Sequence, residues 1–189
     1  MAKSKKGSQV ENVNEENPIH LTEAQPPTLS EVENPIRILF RGNCPKLSAR
    51  GMGDLEYELG SNHVTGQDCI RISGNASSGA FNAKWIDLED IRKLIDTSGE
   101  SSFKAVLFQP LYKGQSSNNH GYLCAILKAE GILNTVPDQP ASLKGGNWDI
   151  LVEKISTLKD AGVSLTDHIA ALAIERTKTR KKKTTEEKD

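Results

Sequence analysis

The sequence predicts an α+β protein: an antiparallel sheet of four or five strands covered by helices, then a C-terminal helical hairpin, with disordered termini. Three observations carry this. Short β-prone runs with period-two alternation crowd residues 36–86. Helical spacing of apolar residues begins at 88, after 118 and at 147, and both chain ends are polar and charged.

Residues 1–35 hold almost no periodic apolar character, are broken by Pro18, Pro26, Pro27 and Pro35, and carry three basic against six acidic residues. Such a segment buries too little apolar surface to offset its ordering entropy, so it reads as a disordered arm. The first strand is Ile36-Arg37-Ile38-Leu39-Phe40-Arg41, ending at Gly42-Asn43. Leu55-Glu56-Tyr57-Glu58-Leu59 alternates apolar and charged residues and is the second; Cys69-Ile70-Arg71-Ile72-Ser73 is the third. Gly74 to Gly79 reads as a hairpin-like turn into a fourth strand, Ala80 to Ile86. Asp87 is placed to cap a helix whose Leu88, Ile91, Leu94 and Ile95 share one face.

Phe103 to Phe108 suggests a fifth strand, and a helix starting after Ser117 or Asn118 runs to Gly131 with Leu123, Ile126, Leu127 and Leu133 fitting helical spacing. The core domain is thus expected over 36–133. Residues 134–146, with Pro137, Pro140 and Gly145-Gly146, read as a linker. Two helices, 147–160 and 165–180, then form the hairpin over 147–180, turning at Ala161-Gly162, and 181–189 is a charged tail.

The chain's 189 residues, net charge of −1, 36% hydrophobic and 5% aromatic content allow one ordinary domain and are too few for a two-domain cofactor enzyme; no cofactor is expected. No apolar run approaches the roughly 18 residues of a membrane span, and the polar start lacks a signal-peptide core, so a cytoplasmic protein is expected. Cys44, Cys69 and Cys124 are odd in number without CxxC spacing, which argues against a disulfide framework or zinc site and for reduced, buried thiols.

Catalytic signals are sparse, with no GxSxG, HExxH, Walker A or GxGxxG pattern. His20 lies in the arm, His63 in a turn and His168 on a short helix. His120, in the stretch Gly114 to Gly121 with Ser116, Ser117, Asn118 and Asn119, sits at an expected helix N-terminus. A hydrolase-like centre on Ser117 and His120 competes there with plain helix capping. The Gly74–Gly79 turn reads as a hairpin turn before a phosphate cradle, because no helix follows it. Glu56 and Glu58 share a strand face without a clustered His or Asp, the pattern of a solvated face before a metal site.

A nucleic-acid signal recurs in several elements. Residues 36–135 hold eleven basic and ten acidic residues, so order matters more than total: Arg37, Arg41, Lys46 and Arg50 occur with no acid between them, and Arg71 and Lys84 come from polar faces of expected neighbouring strands. On a curved sheet these groups converge beside Tyr57, Phe81 or Trp85, giving phosphate neutralisation and base stacking together, while the same three aromatics fit a core role. The run Arg176, Lys178, Arg180, Lys181, Lys182 and Lys183 puts six basic residues in eight, a solvated end or a non-specific phosphate contact.

The order strand, strand, strand, Gly-rich turn, strand ending in Trp85-Ile86-Asp87-Leu88, then helix, over Ile36 to Ile95, resembles the curved-sheet layout of Whirly-like single-strand-binding proteins. The resemblance implies a dimeric or higher single-strand binder and carries over no functional residue. The sequence as a whole points to a non-enzymatic nucleic-acid-binding accessory protein, of DNA or RNA single strands before duplex, of a bacterium or mobile element. Its rival is an interaction or inhibitor module that docks a protein partner through the sheet or C-terminal helices.

Overall fold

The computed structural model describes residues 35–48, 51–77, 79–114, 116 and 118–172. The arm up to residue 34, Arg50, Ser117 and the basic run from Arg176 to Lys183 therefore lie outside the described residues, as does the tail 181–189. The protein is α+β, with a four-stranded antiparallel sheet, a two-stranded sheet and helices. The main sheet has the order β1 (Ile36–Pro45), β2 (Asp54–Asn62), β3 (Asp68–Asn75) and β4 (Ile86–Asp87). Three helices follow or intervene, α1 (Leu88–Ser98), α2 (Asn119–Ala129) and α3 (Trp148–Asp160); a 3₁₀ helix (Ala105–Tyr112) precedes α2.

Period-two patterning explains the inner face of the sheet. Leu55, Tyr57 and Leu59 of β2 point into the core with Ile70 and Ile72 of β3 and Ile86 of β4. A register shift in β1 between Ile38 and Phe40 keeps Leu39 and Phe40 both against that core. The helices cover it with the stripes that helical spacing prescribes: Leu88, Ile91 and Ile95 of α1, Leu123, Ile126 and Leu127 of α2, and Leu151 and Ile155 of α3. Asp87 occupies the α1 N-cap in extended conformation, but its side chain makes no cap bond; Glu89 and Asp90 supply first-turn negative charge instead. Asn147 caps α3, accepting from the Asp149 N–H at 2.9 Å.

Four expectations need correction. The fourth strand is only Ile86–Asp87, because Asn75 donates to the Gly79 carbonyl at 2.7 Å and Asn82 N–H is held by the Asn119 side chain at 3.0 Å. These bonds draw residues 79–85 towards the start of α2 instead of back along β3. The fifth strand is absent: Phe103 exchanges two backbone hydrogen bonds with Leu143, and the chain then winds into the 3₁₀ helix, whose spacing buries Phe108 and Tyr112.

The supposed linker is a β-hairpin, β5 (Leu133–Val136) and β6 (Gln139–Gly145), turned at Pro137-Asp138 with Asp138 at φ 62°. Gly146 answers a close approach, since a Cβ there would lie 2.3 Å from the Gly131 carbonyl oxygen. Finally, the chain after Gly162 does not open a helix at 165. Leu165 donates its N–H to Ile38 at 2.8 Å and bridges the edge of β1; helix begins only at residue 168.

Candidate functional site

The outer face of the sheet is built from register. Arg41 of β1, Glu58 of β2 and Arg71 of β3 are direct cross-strand neighbours, one row across three strands. Glu58 accepts from Arg41 Nε at 2.8 Å and from Arg71 Nε at 2.6 Å, and only 1% of it is exposed. Its expected place on a solvated face is thereby corrected: two guanidiniums and a distant segment bury it, whereas Glu56 stays exposed. Gly60 leaves room beside the row, because a Cβ would strike Ile36 and the Trp85 ring. Trp85 uses that room to lie 4.4 Å from the Arg71 guanidinium.

The segment after α3 closes this face. Arg41 donates to the Thr166 carbonyl at 3.1 Å, and Arg71 donates to Asp167 at 2.7 Å. Partial burial pushes the Asp167 carboxyl up, but the hydrogen bonds from Arg71 and the Ala170 N–H, with the guanidinium charge, outweigh it and hold the group below the usual aspartate value. Arg41, Glu58, Arg71 and Asp167 together carry no net charge.

The residues expected on one nucleic-acid face are consequently distributed. Arg41, Arg71 and Trp85 share the outer face. Arg37 lies at the start of β1, donating to the Lys159 carbonyl at 3.2 Å. Tyr57 is a core residue, 4% exposed, whose hydroxyl donates to Glu130; burial, then that bond, raises its pKa. Lys154 of α3 completes the buried contact at 2.8 and 2.9 Å from Glu130. It offsets a carboxylate at the unfavourable, C-terminal end of α2. Phe81 and Lys84 are exposed on the irregular stretch before β4.

Lys46 points elsewhere, into a groove of about 910 Å³ between the loop after β1, the start of α2 and the β5–β6 hairpin. Its ammonium donates to the Met52 carbonyl at 2.9 Å and to the Ser77 hydroxyl, and lies 5.8 Å from the Tyr122 ring centroid. Leu47, Met52, Tyr122, Pro140 and Leu143 supply apolar wall, His120 and Asn118 polar wall, and among the described residues none of those lining it is acidic. Met52 is 83% exposed. Sequence reading missed Tyr122 because it lies off the apolar stripe of α2. The signal available was its place two residues after His120, on the same opening turn.

His120 also borders a hollow of about 390 Å³ with Tyr112, Lys113 and Ser116, again without an acid among the described lining residues. A nucleophile–base–carboxylate relay is thus not assembled around His120 among the described residues. Asn118 makes no side-chain cap bond to α2. Burial raises all three thiols, Cys44 to about 11 and Cys69 and Cys124 to about 12, far from the range of a reactive thiolate. Among the described residues no group of three His, Cys, Asp or Glu side chains is disposed to hold a metal, and no helix is long and apolar enough to cross a membrane. No family model matches the chain, and no curated protein or solved structure matches it significantly.

Proposed function

We propose that this protein is a non-enzymatic nucleic-acid-binding accessory protein, taking single-stranded DNA or RNA in the groove beside α2. The observation that carries the reading is the groove, with no acid among its described lining residues, in which the Lys46 ammonium stands over the Tyr122 ring. A single strand needs a cation for its phosphates and a flat apolar surface for its bases. Lys46 uses two of its three N–H donors on Met52 and Ser77, and those bonds fix where the third meets an anion. The basic run from Arg176 to Lys183 adds a sequence-independent attraction.

The test is fluorescence anisotropy of labelled single-stranded DNA, duplex DNA and RNA at two salt concentrations, with the full chain and with a chain ending before Arg176. Salt-sensitive binding of single strands that survives the truncation supports a site on the folded part. Binding lost with the truncation assigns the contact to the basic run alone, and absence of binding to all three probes at low salt ends the reading. A second reading is favoured by the exposed Met52 and Leu47 at the rim, which suit an apolar protein partner. A nucleic acid leaves the effect of Lys46→Glu strongly salt-dependent, whereas an apolar partner makes Met52→Ser the more damaging change.

A further inference from the structure

We propose that the outer sheet face is a second, latent phosphate-binding surface, and that the segment Val163–Leu172 is a displaceable cover occupying the positions phosphate oxygens would take. The contacts point to this. Arg41 and Arg71 each present Nε to Glu58, which fixes the two guanidiniums side by side across β1, β2 and β3. Their Nη2 groups also turn to the cover and meet a carbonyl oxygen, from Thr166, and a carboxylate oxygen, from Asp167. Planar guanidinium forks held in this way are suited to phosphate.

The cover is attached differently from the rest of the fold. No residue of 163–172 is buried, while Ile38, Glu58 and Arg71 on the sheet are. Its attachment includes the backbone bridge from Leu165 to Ile38 and the two arginine contacts, and it lacks an apolar anchor of its own in the core. Lifting it leaves two guanidiniums against one carboxylate, a net charge of +1 that an anion would neutralise. Release is therefore coupled to uptake of an anion. The six basic residues that begin at Arg176, four residues beyond Leu172, attract the same polyanion and bring it to the cover.

The proposal shares with the preceding reading the identity of the natural polyanion as a nucleic acid, but it does not use the groove. Full-length wild type, Asp167→Asn and Leu165→Pro are titrated with a labelled oligo-dT and, separately, with inorganic tripolyphosphate. Hydrogen exchange of the 163–172 amides is followed in each case. Asp167→Asn keeps an oxygen for the Ala170 N–H while removing the charge that holds Arg71, and Leu165→Pro removes the N–H given to Ile38.

The expected result is about fivefold or greater tightening of both probes in both variants, abolished by adding Arg41→Gln, together with loss of amide protection over 163–172 when either probe binds the wild type. Tightening of tripolyphosphate alone, with no protein binding oligo-dT, upholds the phosphate face and removes the nucleic-acid reading. Oligo-dT binding that is lost with Tyr122→Ala and indifferent to Asp167→Asn and Leu165→Pro overturns the cover while the groove stands. Failure of both probes to bind all three proteins overturns the proposal as well.

Discussion

The outer sheet face and the groove beside α2 both draw on the basic residues of the first half of the chain, yet they differ in what surrounds the charge. On the sheet, Arg41 and Arg71 face Glu58 and Asp167 and the row is neutral. In the groove, Lys46 faces a tyrosine ring and a wall without acids. A basic side chain is thus a binding resource only to the extent that the fold withholds a carboxylate from it. Arginine on the sheet is part of what holds the fold together, whereas lysine in the groove faces no carboxylate among the described lining residues.

The strongest way to break the comparison is to remove the carboxylate at the centre of the row. Glu58→Gln is expected to destabilise the protein by about 3–5 kcal/mol, because it leaves Arg71, only 5% exposed, short of a countercharge. Urea unfolding measures this, and a change within 1 kcal/mol would mean that water reaches the row. On the groove side the signs reverse. Tyr122→Ala is expected to cost about 1–3 kcal/mol of single-strand affinity, roughly fivefold to a hundredfold. Its ring is half-buried at the groove wall, so the loss of stability should be the smaller effect, a contrast that parallel melting and anisotropy curves resolve.

Lys46→Gln is expected to do less, lowering affinity severalfold and reducing the slope of log K against log salt by about 0.7, the value for one phosphate contact on a single strand. An unchanged slope would remove Lys46 from the interface. The smallest effect is in pH. Because the Asp167 carboxyl is held below the ordinary aspartate value of about 3.9, its contribution to holding the cover is complete above that value and is lost as pH falls through the lower folded value. The indole NMR signal of Trp85, which lies against Arg71, is expected to be flat from neutrality to about pH 4 and to move only below it.

Much of the fold was legible in local pattern. Alternation at Leu55, Tyr57 and Leu59 and at Ile70 and Ile72 locates β2 and β3, and helical stripes locate α1, α2 and α3. What escaped depended on partners far away in sequence. Residues 80–85 have strand-like composition, but side-chain bonds from Asn75 and Asn119 decide their path. Pro137, Pro140, Gly145 and Gly146 resemble a linker by composition, although the first pair shapes a hairpin and Gly146 permits close packing on Gly131.

The same holds for the site. Period two cannot distinguish a strand face open to water from one closed by a segment 96 residues further on, the separation of Arg71 from Asp167. Glu58 consequently read as solvated and the arginines as available. Lys46 was grouped with Arg37, Arg41 and Arg50 as a sheet-face cation, but the loop after β1 carries it away from that face into the groove. The Tyr122 ring beside it belongs to an element 76 residues away and had no local signal joining it to Lys46.

The most direct test of the account asks which aromatic ring meets the base. A single-stranded oligonucleotide carrying 5-iodouracil is photo-crosslinked to the full-length protein, and the modified peptide is identified by mass spectrometry. The expected result is that in the wild type the crosslink falls mainly on Tyr122, and that the smaller share on the peptide containing Trp85 rises when Asp167→Asn or Leu165→Pro has loosened the cover. Crosslinking of the wild type at Trp85 with Tyr122 unmodified would contradict it, because the charge-neutral sheet face would then be the primary contact.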